Sequence, residues 1–303
     1  MPRSELTQRV AVAAIGIPVA VAAIHAGGWI LGALLAVVAA GGALELFRLV
    51  GHSGVRALPA FGAAGAAVFV LIVAWRPTVA AAAPPMFGAA VALLLLVTGA
   101  AVWLRGVEGK PLFAVATTVF GAIFPGWTLA HVLLLRHAVR VDAAAFGAPS
   151  SLATSAWAGA ALVIYAIGLT WINDTCAYFA GRAWGRRKLI PRVSPGKTVI
   201  GAVAGGIGTV VVGAVYGAMV LEGWYDLPVG PWKGAAGGLL IAVAALVGDL
   251  AESAMKREAG VKDSGHLLPG HGGILDRFDA LFFAIPVAFW YLMAILAVNG
   301  GAR

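Results

Sequence analysis

Long apolar segments recur along the whole chain, and they constrain the fold more than any other feature of the sequence. The hydrocarbon core of a bilayer is about 30 Å thick, so a helix that crosses it needs roughly 20 mostly apolar residues. The segments that approach this length are approximately residues 10–25, 28–47, 57–75, 79–104, 112–135, 153–172, 199–221, 234–252 and 280–298. The sequence therefore predicts an all-α, polytopic integral membrane protein with about nine transmembrane helices.

The composition fits a chain whose main solvent is lipid. Of the 303 residues, 61% are hydrophobic and only 11% are charged, which leaves too few polar side chains to cover a soluble domain of this size. The 41 glycines let helix backbones approach closely in a membrane. Cys176 is the single cysteine, so an intramolecular disulfide and a cysteine-based metal cluster are excluded.

The distribution of positive charge predicts the orientation of the chain and its partners. The net charge is +8, but Lys and Arg lie in short links between apolar segments, so we expect membrane lipids and an anionic substrate as partners and no nucleic acid. Short cytoplasmic loops accumulate Lys and Arg, and a cytoplasmic N-terminus places most of the 21 basic residues on that side. The polar segments 173–198 and 253–279 then both face the cytoplasm. Without an evident targeting signal, the chain suits the inner (plasma) membrane of a bacterium.

The domain organisation follows from the absence of internal repeats and linkers, which predicts a single membrane domain over residues 1–303. The composition changes near the middle, from segments rich in Ala and Val to segments interrupted by polar residues. Residues 1–150 are expected to form a lipid-facing scaffold whose charged residues lie at helix ends. Residues 151–303 are expected to carry the catalytic helices and the cytoplasmic loops with the motifs.

Acidic residues concentrate next to the eighth and ninth predicted helices. Asp249 follows the apolar run AVAALVG, where an unpaired carboxylate is costly, so we expect a metal ion or an Arg side chain beside it. Asp276 and Asp279 begin the ninth helix with i, i+3 spacing and share one face. Carboxylate and phosphate oxygens are ligands that Mg²⁺ prefers. The alternative for Asp279 is a simple helix cap, favoured by the helix dipole.

Three runs have the composition of phosphate-binding segments. In the link GHGG at 270–273, the backbone amides are open to phosphate oxygens. In the run SPGKT at 194–198, the Ser-Pro pair suits a helix start, which would place Lys and Thr near helix-end amides that bind anions. The run GRAWGRRK at 181–188 offers further cations, although a generic positive loop explains it equally well. These runs lack the Walker A pattern GxxxxGK[ST].

These motifs resemble those of the phosphatidate cytidylyltransferase family. The matches to the family signature are SAMKR at 253–257, KDSG at 262–265 and LPGHGGILDR at 268–277. The matches to a second block of the family are ND at 173–174, AY at 177–178, GR at 181–182 and SPxKT at 194–198. Two positions depart from the family pattern, because its members usually carry Lys where Gly196 stands and Glu where Ile200 stands.

The resemblance implies an enzyme that transfers the cytidylyl group of CTP to phosphatidic acid, giving CDP-diacylglycerol and pyrophosphate in phospholipid biosynthesis. Together with the placement of the acids at helix ends, it implies an enzyme that uses Mg²⁺, alone or with a second cation. Together with the content of small residues, it implies a homodimer. The implied metal ligands are Asp249, Asp276 and Asp279. The implied catalytic residues are Asp249, Asp276, Lys256, Arg257, Asp263 and Arg277. The implied substrate-binding residues are Asn173, Asp174, Tyr178, Arg182, Ser194, Lys197, Thr198, Lys262, His271, Gly272 and Gly273.

Two other functions stay open. A cytidylyltransferase that acts on a related lipid phosphate, such as an isoprenoid ether lipid, would use the same phosphate chemistry. An ion-coupled membrane transporter would also carry acids in its helices, but transporters typically show repeated halves or broken helices near the membrane midplane. The polar residues of this chain cluster on one predicted face instead, which favours an enzyme at the membrane interface.

Overall fold

The computed structural model describes residues 3–141, 156–265 and 272–300. The helices before the first gap are α1 Arg3–Ala26, α2 Gly28–His52, α3 Pro59–Trp75, α4 Val79–Arg105 and α5 Pro111–Val141. The elements between the gaps are α6 Ala156–Trp184, β1 Lys188–Ile190, β2 Ser194–Thr198, α7 Val199–Tyr216 with a π-helical continuation Gly217–Glu222, and α8 Gly230–Glu258. The last two helices are α9 Leu275–Phe278 and α10 Leu281–Gly300.

Most of these helices have the length and hydropathy of membrane spans. Seven stretches of the described residues qualify: Gly28–His52, Val79–Arg105, Pro111–Ala138, Trp157–Trp184, Val199–Glu222, Gly230–Glu258 and Leu275–Leu296. Two shorter apolar helices, Ala14–Ala26 and Pro59–Trp75, accompany them. The predicted all-α, polytopic class is confirmed, with one small β-hairpin added, while the count of nine spans and the cytoplasmic N-terminus stay predictions.

The described residues form two compact units, and the first contains the chain up to Leu133 together with Met255–Phe278. In this unit α2 packs against α3, and α3 packs against α4. The ring of Phe47 on α2 is almost fully buried and lies over Gly62 and Gly121, where an added Cβ would overlap it. Glycine at these two positions therefore makes room for the largest side chain at the contact.

The second unit contains Leu134–Ala254 and the chain from Asp279 onward. Here α6 packs against α7 and α10. A Cβ on Gly213 or Gly217 of α7 would overlap the carbonyl oxygen of Gly234 or Gly230 of α8, so backbone meets backbone, as the glycine content predicts. The opposite face of α7 is apolar and exposed, as at Val203, which fits contact with lipid. The division of 1–303 into scaffold and catalytic halves of one domain stays a prediction.

The start of α7 differs from the sequence prediction. Residues 194–198 do not begin a helix: they form β2, which pairs antiparallel with β1. The helix begins at Val199, after Thr198 in extended conformation (φ −123°, ψ 153°). The Thr198 hydroxyl accepts a hydrogen bond from the Gly201 amide at 3.1 Å, the geometry of a helix N-cap. The prediction that Ser194 and Pro195 start the helix is wrong, because Thr198 supplies the cap four residues later.

Candidate active site

A pocket of about 650 Å³ lies in the second unit, between α6, the β-hairpin and α8. Its polar lining includes most of the residues predicted to bind substrate. They are Asn173, Asp174, Tyr178 and Arg182 from α6 and Lys197 and Thr198 from β2, and they are joined by Lys188 from β1 and by Asp249 from α8, a predicted metal ligand. We call it the Asp249 pocket. Carboxylates, cations and an amide thus converge from four elements, although the sequence separates them by up to 76 positions, from Asn173 to Asp249.

Asp249 forms an ion pair with Lys197 inside this pocket. The side chains keep 31% and 22% of their surface exposed, respectively, so both charges remain accessible to a ligand. Ser253, one turn further along α8, donates a hydrogen bond to Asp249 Oδ1 at 3.3 Å. The sequence predicts a metal ion or an Arg side chain beside this carboxylate. The structure shows Lys197 as its charged partner instead.

Asp174 adds a second carboxylate to the pocket. Its Oδ1 lies 3.4 Å from Nδ2 of the buried Asn173, at the limit of a hydrogen bond. A Cβ on Gly205 of α7 would lie 2.6 Å from Asn173 Oδ1, so the glycine leaves room for the amide. With Asp249, the Asp249 pocket therefore presents two carboxylates to any cation that enters it.

The remaining pocket side chains carry positive charge or shape its wall. Arg182 donates from Nη1 to the Tyr178 hydroxyl at 2.9 Å, one turn away on the exposed face of α6. Thr198 lies against Gly181 and Gly185, where added Cβ atoms would contact its side chain. These two glycines let β2 approach α6, so the hairpin holds its cations beside the acids.

The first unit contains a second polar group, which we call the Asp276 cluster. Asp276 Oδ1 accepts a hydrogen bond from Lys256 Nζ at 2.6 Å. Its Oδ2 lies 2.9 Å from each of the Ser264 amide, the Ser264 hydroxyl and the Gly273 amide. Both oxygens are therefore engaged by the protein, and the two side chains of the ion pair are only 11% and 12% exposed. Asp276 joins α8, the segment after it and α9 within this unit.

Glu45 of α2 belongs to the Asp276 cluster, and the sequence analysis missed it. Its side chain is fully buried, and Oε2 accepts from the Leu275 amide at 2.9 Å and lies 3.2 Å from the Ser264 hydroxyl. The expectation that charged residues of the first half lie at solvated helix ends is wrong for Glu45. The available signal was an acid inside the apolar run GGALELF, where a carboxylate is costly without a partner.

The other predicted residues lie nearer the surface. Arg257 donates to the Val261 carbonyl oxygen at 2.9 Å, and the Asp279 carboxylate accepts from the Ala280 amide at 2.7 Å just before α10. The exposed positions are Lys262, Asp263 and Arg277. Gly272 has a positive φ of 81° and lies against Asp276. Ser194 lies in β2, outside the pocket lining, and His271 lies outside the described residues.

The donor atoms decide which of these groups suits a divalent cation. Within residues 3–141, 156–265 and 272–300, no three His, Cys, Asp or Glu side chains form a metal cluster. Asp174 and Asp249 nevertheless line one open pocket, and two carboxylates completed by water and phosphate oxygens are a common Mg²⁺ environment. The Asp249 pocket therefore fits Mg²⁺, whereas both Asp276 oxygens already accept hydrogen bonds from the protein.

The apolar helices are those of a polytopic membrane protein, the Asp249 pocket gathers charged side chains of both signs, and comparison with known proteins gives the family. The model of the cytidylyltransferase family matches residues 7–295. The chain therefore belongs to the cytidylyltransferase family. It is 33% identical over 302 residues to a phosphatidate cytidylyltransferase of Synechocystis sp.. The aligned region covers 96% of this chain and 98% of that relative.

Other relatives match over shorter regions. The chain is 40% identical over 171 residues to the uncharacterized protein YnbB of Escherichia coli, covering 56% of this chain and 53% of the relative. It is 41% identical over 142 residues to a phosphatidate cytidylyltransferase of Haemophilus influenzae, covering 46% of this chain and 48% of the relative. The chain thus aligns with about half the length of these two proteins.

Proposed function

We propose that this protein transfers the cytidylyl group of CTP to phosphatidic acid, forming CDP-diacylglycerol and pyrophosphate. The Asp249 pocket carries this proposal, because it combines two carboxylates with three cations in a member of the cytidylyltransferase family. The near full-length similarity to the Synechocystis phosphatidate cytidylyltransferase supports the choice of lipid substrate.

The proposed reaction is a displacement at phosphorus. A phosphate oxygen of phosphatidic acid attacks the α-phosphorus of CTP and forms a new P–O bond. The bond between the α-phosphorus and the oxygen that bridges to the β-phosphate breaks, and pyrophosphate leaves with that electron pair. The attacking oxygen is already anionic, so the protein needs no general base. Catalysis then depends on positioning and on neutralising phosphate charge.

The pocket residues have the chemistry for those two tasks. Lys197, Arg182 and Lys188 offer ammonium and guanidinium groups to phosphate oxygens. Asp174 and Asp249 would hold Mg²⁺, which when bound neutralises triphosphate charge and orients the phosphates. Asp276 and Asp279 stay ligands predicted from the sequence, and we assign the Asp276 cluster to the same reaction because its loop carries the family motif. We also propose a homodimer whose active site faces the cytoplasm, where CTP is available.

The test is formation of CDP-diacylglycerol from labelled CTP and phosphatidic acid by purified protein in detergent, with and without Mg²⁺. The informative variant is Asp249→Asn, which keeps the shape of the side chain and removes its charge. We expect activity that requires Mg²⁺ and that falls by about 100-fold or more in Asp249→Asn. A loss of this order is typical when one electrostatic contact to the transition state is removed. Glu108→Gln, at an exposed link between α4 and α5, is the matched control and should keep wild-type activity.

Two results would contradict the proposal. A folded wild-type protein that converts another lipid phosphate but not phosphatidic acid would assign a related substrate. Full activity in Asp249→Asn would remove the Asp249 pocket from the reaction.

A further inference from the structure

The Asp276 cluster rests on one face of α2. Gly41 and Gly42 of this helix contact Ile274 and Leu275, and a Cβ on Gly41 would overlap the Ile274 side chain. Glu45 follows one turn later on the same face. The helix α9 packs against α2 within this unit. Two glycines and one acid of α2 thus form the surface on which the chain just before Asp276 lies.

Two glycines of the family signature, Gly265 and Gly273, lie against the Glu45 carboxylate. A Cβ on Gly265 would lie 2.7 Å from Oε1, and a Cβ on Gly273 would contact Oε2 and overlap the Ser264 hydroxyl. A side chain at Gly265 would displace the Glu45 carboxylate, and one at Gly273 would displace Glu45 or the Ser264 hydroxyl. Gly265 and Gly273 both lie against the Glu45 side chain, so the positions of these two residues depend on what occupies that space.

The contacts of Glu45 lead directly to Asp276. The Ser264 hydroxyl lies 3.2 Å from Glu45 Oε2 and 2.9 Å from Asp276 Oδ2. The amide of Leu275, the residue before Asp276, donates to Glu45 Oε2 at 2.9 Å. Glu45 therefore fixes a side chain that binds the Asp276 carboxylate and also the backbone that carries it. We propose that Glu45 is a positioning residue, which sets the orientation of Asp276 for cytidylyl transfer.

Packing alone does not account for an acid at this position. The Glu45 side chain has no exposed surface, and its Oε1 has no hydrogen-bond partner among the described residues. A buried carboxylate within an apolar helix is expensive, and an apolar side chain of similar volume would fill the space without that cost. What the acid gains is the Leu275 amide as a donor to Oε2 and contact with the Ser264 hydroxyl, whose single proton can be donated either to Glu45 or to Asp276.

The inference rests on the proposed function, so its test combines kinetics with a measurement that needs no turnover. Glu45→Ala should lower kcat by about 10- to 100-fold, the range typical of residues that orient a ligand group, while KM for CTP changes little. Glu45→Gln keeps an oxygen that can accept from Leu275 and should recover part of the loss. In both the wild type and Glu45→Ala, amide hydrogen exchange is measured at Ser264, Gly273 and Leu275, and it should be faster in the variant.

A matched control separates positioning from loss of packing. Leu46 is the next residue of α2 and is 2% exposed, so Leu46→Ala removes buried volume without removing the carboxylate. It should lower the midpoint of thermal unfolding but leave kcat near wild type. Ser264→Ala provides a coupling test: if Glu45 acts through Ser264, the double variant should lose much less than the product of the two single losses.

The outcomes are distinct. Wild-type kcat in Glu45→Ala, equal losses in Glu45→Ala and Leu46→Ala, or independent losses in the double variant would each overturn the positioning role. An inactive wild-type protein would contradict the proposed function instead. In that case hydrogen exchange still tests whether Glu45 holds the Leu275 backbone. Unchanged exchange at Leu275 in Glu45→Ala would show that it does not.

Discussion

Gly196 is the position inside the Asp249 pocket at which the family resemblance of the sequence leads us to expect a lysine. The position lines the pocket, is exposed, and has open space where a Cβ would lie. A longer side chain therefore fits without displacing a neighbour. The usual lysine of the family would add a fourth cation to the three that line this pocket.

We predict that Gly196→Lys lowers KM for CTP by about 2- to 5-fold. The estimate follows from the roughly 0.2–1 kcal/mol that an exposed charge pair contributes. The measurement is steady-state kinetics at two salt concentrations, and the gain should shrink at high salt because mobile ions screen exposed charges. Gly196→Gln has a long side chain without the charge and should leave KM unchanged; an equal gain in both variants would exclude an electrostatic effect.

At the residue scale, the sequence predicted local motifs better than distant partners. The motif residues Asp174, Arg182, Lys197 and Asp249 line one pocket, and their chemical types alone marked them as candidates. Glu45 carried one local signal, an acid inside the apolar run GGALELF, but its partner could not be predicted because Ser264 lies 219 positions along the chain. A contact at that separation leaves no trace in the spacing of a single sequence.

At the scale of elements, two threonine caps offer a natural comparison. Thr198 caps α7 and Thr78 caps α4, and each hydroxyl accepts from an amide three residues later at 3.1 Å. Both threonines should therefore contribute similarly to helix stability, about 0.5–2 kcal/mol for a cap replaced by alanine. Only Thr198 lines the Asp249 pocket.

We therefore predict that Thr198→Ala and Thr78→Ala both lower the free energy of unfolding by about 0.5–2 kcal/mol. Only Thr198→Ala should also reduce kcat/KM. Thermal unfolding in detergent and CDP-diacylglycerol formation are the two measurements. Thr198→Ser keeps the hydroxyl and should restore stability. Equal activity in the two alanine variants would mean that the end of β2 does not influence the reaction.

Helices and strands differed in how well the sequence predicted them. The apolar segments gave α2, α4 and α8 to within a few residues, apart from polar extensions at their ends, since length and hydropathy largely determine a membrane helix. The hairpin of β1 and β2 was missed because its strands have three and five residues and no apolar alternation. The sequence predicts a helix start at Pro195, whereas the structure places this residue in a strand of a two-stranded sheet.

At the scale of the whole molecule, the cytoplasmic N-terminus predicted from Lys and Arg can be tested with cysteine labelling. In a Cys176→Ala background, Ser53→Cys and Trp224→Cys introduce thiols at exposed links after α2 and after the π-helical segment. A membrane-impermeant maleimide should label Trp224→Cys in intact spheroplasts and Ser53→Cys only in inverted vesicles. Cys176→Ala alone should remain unlabelled, and the reverse pattern would place the N-terminus outside.

The class of the molecule was predictable because composition determines whether lipid is the solvent, and the cytidylyltransferase motifs gave its family. The division into two compact units was not predictable from the sequence. The first joins the early helices to Met255–Phe278, and the second joins Leu134–Ala254 to the last helix. Such a division depends on which helices pack together, and hydropathy carries no information about that choice.

The contact between α7 and α8 has a consequence for how this protein can diverge over time. Gly213 and Gly217 lie against backbone and admit no side chain, while Val203 on the other face is exposed. A side chain introduced on the glycine face would force the two backbones apart whatever its chemistry, whereas an exchange among apolar residues on the outer face keeps the helix contact. We therefore expect the two faces of this helix to vary at different rates among relatives, with the slowly varying face marking a packing constraint distinct from that of the Asp249 pocket.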